Sequence, residues 1–138
     1  MLPDRSRVSK RVLVADDDPV MRHLITTIIQ QQEHEAVVAN DGRAAYRILQ
    51  SDSDFKAAIL DMTMPFLEGL DLIRFMRSEK RLMRIPIMMI TAEQDIKLMA
   101  SSFSAGATAF LPKTFTPEQL QSAIRMLLAT RRSSRIAA

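Results

Sequence analysis

Between residues 11 and 130 a short apolar run is followed by a helical pattern five times over. The runs are Val12-Leu13-Val14-Ala15, Ala36-Val37-Val38-Ala39, Ala57-Ala58-Ile59-Leu60, Ile87-Met88-Met89-Ile90 and Thr108-Ala109-Phe110-Leu111. Each has the length of a strand and none alternates apolar with polar, which is the pattern of strands covered on both faces. After the first run Val20, Met21, Leu24, Ile25, Ile28 and Ile29 recur on one helical face. Asp18 is placed to cap that helix and Pro19 suits its first turn. The second helix spans Gly42 to Gln50 with Ala45, Ile48 and Leu49 inward, and the third turns Leu70, Ile73 and Met76 inward. In the fourth, Ile96, Met99, Ala100 and Phe103 fall at i, i+3, i+4 and i+7 and are expected to face the core. The fifth opens on Thr116-Pro117-Glu118-Gln119, a capping hydroxyl with a glutamine three residues on, and buries Leu120, Ala123, Ile124, Leu127 and Leu128. Strands alternating with helices pair in parallel through right-handed crossovers. The expected fold is an α/β doubly wound sandwich on a five-stranded parallel sheet.

Composition narrows the picture. A chain of 138 residues, 47% apolar and 25% charged, suits one globular domain with a full core. It has no cysteine, so disulfides and thiolate metal sites are excluded. The most apolar stretch, Ile85 to Ile90, is interrupted by Pro86 and is too short to span a bilayer, and Met1 to Arg11 has no apolar signal core behind it. A cytoplasmic protein with no membrane partner is expected.

The pI of 9.7 raises a nucleic-acid reading, which the location of the charge weakens. Residues 1–11 carry Arg5, Arg7, Lys10 and Arg11 against Asp4, and residues 131–138 carry Arg131, Arg132 and Arg135. Each end is +3, and because the whole chain is also +3, the body between them is −3. The basicity belongs to the ends, which read as solvated tails, so nucleic acid is not the expected partner. The expected organisation is a flexible basic segment over 1–10, one domain over 11–130 and a flexible basic tail over 131–138.

Open parallel sheets bind ligands beyond the carboxyl ends of their strands. Run one ends in Asp16-Asp17-Asp18, run three in Asp61 and run four in Thr91, while run five leads to Lys113. Asp16 and Asp17, adjacent at the end of an apolar strand, repel unless a cation lies between them. With Asp61 they make an oxygen site suited to a hard cation such as magnesium. A carboxylate is also a covalent nucleophile toward phosphorus, with a lysine and a hydroxyl to bind the remaining phosphoryl oxygens. Taken singly, Asp18 is a helix cap, Thr91 a helix start and Lys113 a surface lysine; the joint pattern carries the chemistry.

The segments Val12-Leu13-Val14-Ala15-Asp16-Asp17-Asp18-Pro19, Leu60-Asp61-Met62-Thr63-Met64-Pro65 with Gly69, Ile90-Thr91-Ala92, and Lys113 resemble the receiver domains of two-component response regulators over residues 11–130. The resemblance implies a flavodoxin-like strand order 2-1-3-4-5, as in the chemotaxis regulator. It implies that Asp61 is the phosphoryl acceptor, that Asp17 and Asp61 bind Mg2+ directly, Asp16 through water and Thr63 through its backbone carbonyl. It further implies that Lys113 pairs with the acceptor, that Thr91 and Phe110 form the switch, and that Thr63 and Glu93 tune hydrolysis. The donor would be a histidine kinase or histidine phosphotransfer protein. The signal would leave through the face of the fourth helix, fifth strand and fifth helix, by contact with a target protein or by phosphorylation-dependent homodimerisation. Such a domain catalyses only its own phosphorylation and dephosphorylation.

One departure concerns Lys113. The family lysine precedes a cis proline, whereas here Thr114 follows and Pro112 precedes. A cis bond without proline costs ~2.5–4 kcal/mol, so a trans Lys113–Thr114 bond is expected. Other readings fit less well. A haloacid-dehalogenase-type phosphatase has a second acid where this chain has Thr63, and a kinase role for His23 or His34 lacks a phosphate-cradling loop, since Gly42, Gly69 and Gly106 are scattered. A degenerate receiver that only binds a partner is the main alternative, and it would be marked by loss of one of the residues that are all present here.

Overall fold

The structure is a computed structural model that describes residues 9–64, 67–92 and 96–130. Residues 1–8 of the expected basic segment 1–10, the expected tail 131–138 and the tuning position Glu93 lie outside the described residues. Strands β1 (Arg11–Ala15), β2 (Glu35–Ala39), β3 (Ala57–Asp61), β4 (Ile87–Thr91) and β5 (Ala109–Pro112) alternate with helices α1 (Pro19–Gln31), α2 (Gly42–Ser51), α3 (Gly69–Ser78), α4 (Ile96–Ala105) and α5 (Pro117–Ala129). The five strands form one sheet in the order β2-β1-β3-β4-β5, and every neighbouring pair is parallel. The doubly wound, flavodoxin-like α/β architecture expected from the sequence is the one observed.

The sheet divides two cores, which explains why its central strands are apolar throughout. Leu13, Ala15, Ala58, Leu60, Ile87 and Met89 point to one side, where α2, α3 and α4 supply Leu49, Leu72, Met76 and Leu98. Val12, Val14, Ile59, Met88 and Ile90 point to the other, against Ile25 and Ile29 of α1 and Leu120 and Ile124 of α5. Side chains alternate along each strand, and both alternating sets are buried. The helix starts are fixed as their sequences imply. Asp18 accepts from the Val20 N–H at 3.0 Å, and Thr116 and Gln119 form a reciprocal capping box.

Three burial expectations need correction. In β2 only Ala39 is buried, and Val38 is 41% exposed, because β2 is an edge strand with a neighbour on one side only. In α1 Val20, placed on the same helical face as the buried Ile25, Ile28 and Ile29, is 76% exposed at the start of the helix. The largest difference is in α4. Ile96 is 77% exposed, Phe103 45% and Met99 37%, while Leu98, Ser102 and Ala105 turn toward the core. Periodicity shows that residues share a face but not which way that face points. Ser102 can occupy the inward position because its hydroxyl donates to the Leu98 carbonyl at 2.9 Å.

The sequence reading also missed a tie that secures the end of α3. Arg77 donates to the Gly106 carbonyl from Nε at 3.0 Å and from a terminal nitrogen at 2.7 Å, and its other terminal nitrogen donates to Met83 O at 3.0 Å and Ile85 O at 2.8 Å. One guanidinium thus joins the α3–β4 loop to the α4–β5 turn, where Gly106 has a φ of +118° and a Cβ would press on the arginine stem. Burial lowers the Arg77 pKa from its ordinary value, and the carbonyls compensate the buried charge. Arg77→Ala is expected to lower the free energy of unfolding by about 2–3 kcal/mol, with Arg77→Lys recovering only a minor part because a point charge cannot span both loops. Urea unfolding of the two variants checks this; equal stability of Arg77→Ala and the parent would refute it.

Candidate functional site

The carboxyl edge of the sheet gathers the acids. β1 and β3 are neighbours in register Ala15↔Leu60, so Asp16 and Asp17, which follow β1, come beside Asp61, the last residue of β3. One carboxylate oxygen from each of Asp16, Asp17 and Asp61 lies within 4.8 Å of the others. Asp16 is buried, Asp61 half-buried and Asp17 exposed. Asp16 Oδ1 accepts from the Asp18 N–H at 2.8 Å, whereas its Oδ2 is buried without a hydrogen-bond partner. Asp61 Oδ1 accepts from the Thr63 N–H at 3.2 Å.

This arrangement opposes ionisation. Burial, then the charges of Asp16 and Asp17, push the Asp61 pKa up to about 7 against the opposing Thr63 N–H. Burial also raises Asp16, partly offset by the Asp18 N–H and by the positive charge of Lys113. An unpartnered buried oxygen in a cluster of three carboxylates fits a hard divalent cation such as Mg2+, which accepts oxygen ligands and leaves others to water. The donor set contains no sulfur or imidazole, so it does not resemble a zinc or copper site.

Of the other residues singled out in the sequence, Thr91, Lys113 and Thr63 come to the same edge, and Phe110 lies within β5. Thr91 is buried at the end of β4, and its carbonyl accepts from the Lys113 N–H at 2.7 Å. Lys113 is half-buried just beyond β5, close enough for its ammonium to act on Asp16. The Lys113–Thr114 bond is cis, which corrects the trans expectation. The trans preference is that of an isolated amide, and here the loop is anchored on one side by Lys113 to Thr91 and on the other by the Thr116 cap. Thr63 is exposed beside Asp61, and Phe110, half-buried on β5, packs against Phe103 of α4 with ring centroids 6.4 Å apart.

Two supporting residues complete the edge. A Cβ on Gly69 would lie 2.6 Å from the Asp61 carbonyl and 2.5 Å from the Met89 side chain, so only glycine lets the start of α3 sit this close to the end of β3. Arg22 of α1 donates to the Asp16 carbonyl at 2.9 Å and steadies the acidic turn. Nothing in the sequence distinguishes Arg22 from a solvated arginine on an amphipathic helix.

Comparison with known proteins agrees with this geometry. The family model described as the response regulator receiver domain matches residues 12–125. The chain is 35% identical over 121 residues to chemotaxis protein CheY1 of Helicobacter pylori, covering 87% of this chain and 98% of that one. It is also 35% identical over 118 residues to response regulator MprA of Mycolicibacterium vanbaalenii, covering 86% of this chain but 50% of that longer protein. Among solved structures, the chemotaxis response regulator CheY4 of Vibrio cholerae superposes with a TM-score of 0.78 at 28% identity, covering 88% of this chain and 99% of that one.

The acid cluster has a measurable consequence. Folded Asp61 keeps its proton up to about pH 7, whereas an unperturbed aspartate releases it near 3.8. The folded state therefore binds this proton more tightly, and the stability it contributes below pH 3.8 is lost as pH rises through about 7. Without divalent cations, Asp61→Asn is expected to be more stable than the parent above neutrality and to flatten the pH profile. Thermal unfolding across this range checks it, and parallel profiles for the two proteins would contradict the account.

Proposed function

The chain belongs to the response regulator receiver domain family, and from that premise we propose that it is a signalling switch whose Asp61 accepts a phosphoryl group in a two-component relay. The observation that carries the reading is the meeting of Asp16, Asp17 and Asp61 around a buried, unpartnered oxygen, with Thr91 and Lys113 on the adjoining strand ends. The donor is the phosphohistidine of a histidine kinase or histidine phosphotransfer protein. An Asp61 carboxylate oxygen forms the new bond to phosphorus while the phosphorus–nitrogen bond breaks and its electron pair returns to the imidazole.

In this reading Asp17 and Asp61 hold Mg2+ directly, Asp16 holds it through water, and Thr63 contributes its backbone carbonyl. When bound, the cation neutralises charge on the oxygens of the transferring phosphoryl group. Lys113 balances the acidic cluster and then pairs with the phosphoryl oxygens, and Thr91 supplies a hydroxyl to another of them. Thr63 lacks a side-chain amide or carboxylate to hold an attacking water, so hydrolysis is slow, with Glu93 the second tuning position. The protein acts on no separate substrate, and its setting is cytoplasmic; among the described residues no helix is long and apolar enough to cross a membrane.

Output follows from the same geometry. A phosphoryl group adds a charge of about −1.5 to −2 and three acceptor oxygens, which draws the Thr91 hydroxyl toward Asp61. The space it leaves accepts Phe110, whose ring already touches Phe103. Ile96, Met99 and Phe103 form an exposed apolar stripe on α4, and that stripe supports the α4–β5–α5 face as the surface a target protein reads, with phosphorylation-dependent homodimerisation as its other use. Because Phe110 has no hydroxyl to desolvate, part of the population is turned inward before phosphorylation.

Asp61→Asn is expected to remain folded and to lose phosphorylation by acetyl phosphate; intact-mass spectrometry showing undiminished phosphate on this variant would overturn the assignment. Thr91→Ala is expected to keep phosphate uptake while losing the response of Phe110 and Met99, read by fluorine or methyl spectra with and without a phosphoryl mimic. Unaltered coupling in Thr91→Ala would refute the switch.

A further inference from the structure

A cavity of about 330 Å³ opens between α3 and α4 on the side of α4 away from its apolar stripe. Its wall is Arg74 of α3, and α4 leaves the space open because it places only Ala100, Ser101, Ser104 and Ala105 there. Lys97 lies on the same side of α4 as Ser101 and Ser104, at i, i+4 and i+7. The volume is at the small end for a ligand pocket, which suits one side chain better than a cofactor.

Arg74, Ser101 and Ser104 are donors with little to occupy them. Among the described residues the ion pair of Arg74 is with Asp71 at 3.9 Å, and both side chains are at least half exposed. The other Asp71 oxygen is taken by the Glu68 N–H at 3.3 Å, in the capping box of α3. The Ser101 and Ser104 hydroxyls make no hydrogen bond among the described residues, in contrast to Ser102 between them, which bonds back to Leu98. A guanidinium fork with two hydroxyls opposite matches a carboxylate.

We propose that the α3–α4 groove is a second docking site, in which Arg74, Ser101 and Ser104 receive a carboxylate side chain from an acidic segment of a partner protein. It lies across α4 from the apolar stripe. The site makes no use of Asp61 and stands whether or not the chain is phosphorylated.

The test is a titration of the full chain, labelled with nitrogen-15, with a blocked hexaglutamate peptide. Site-resolved signals are needed because the arginines of the two chain ends also attract acidic peptides. The Arg74 side chain and the Ser101, Ser104 and Ala105 amides are expected to shift and saturate together. Arg74→Gln, an exposed change that leaves the core untouched, is expected to weaken the affinity read at those signals by about fivefold, and Ser101→Ala with Ser104→Ala by about threefold. Circular dichroism verifies that each variant is folded. Groove signals that do not move, or that saturate equally in Arg74→Gln, would overturn the proposal. So would equal saturation by inorganic phosphate, which marks a simple anion site, or by a short oligothymidylate, which marks a nucleic-acid surface.

Discussion

Three carboxylates held within 4.8 Å of one another at the edge of a parallel sheet repel, and the surrounding fold is organised to hold them there. Their positions follow from strand pairing. β1 and β3 lie side by side at the centre of the sheet, covered on both faces by apolar side chains that fix the register, so Asp16 and Asp61 cannot separate without breaking the core. Arg22 and the Asp18 N–H steady the turn after β1, and Gly69 lets α3 start against the end of β3. The unpartnered Asp16 oxygen and the raised Asp61 pKa are two expressions of one unmet need for positive charge, which a divalent cation together with the Lys113 ammonium can meet.

In the proposed switch, communication away from this edge runs through α4. The helix buries a narrow inward line through Leu98, Ser102 and Ala105, and it presents an apolar stripe on one side and a small polar groove on the other. Its C-terminal end is fixed where Arg77 grips Gly106, while Phe103 touches Phe110 next to the strand end that carries Thr91. A helix with so little buried apolar area can shift at modest energetic cost, because stability within a fold follows local burial.

Much of the fold was legible because buried parallel strands and amphipathic helices leave different periods in a sequence, and the caps at Asp18 and Thr116 mark their starts. The acids, Thr91 and Lys113 were legible because a strand end in this fold class points at the ligand edge, and the receiver-domain resemblance gave them roles. What escaped was relational. Whether Ile96, Met99 and Phe103 face the core or solvent depends on how α4 sits at the edge of the sheet, and Val38 is exposed because β2 has one neighbour. The partners of Arg77 are carbonyls on loops up to 29 residues away, which no local pattern announces. The cis bond at Lys113 has no following proline to announce it.

The measurement closest to the central claim is the titration of the Asp61 carboxyl carbon by nuclear magnetic resonance, with and without magnesium. The account predicts a midpoint near 7 without divalent cation, falling into or below the ordinary carboxylate range when magnesium is saturating. An ordinary midpoint without the cation, or a raised one that magnesium leaves in place, would contradict it.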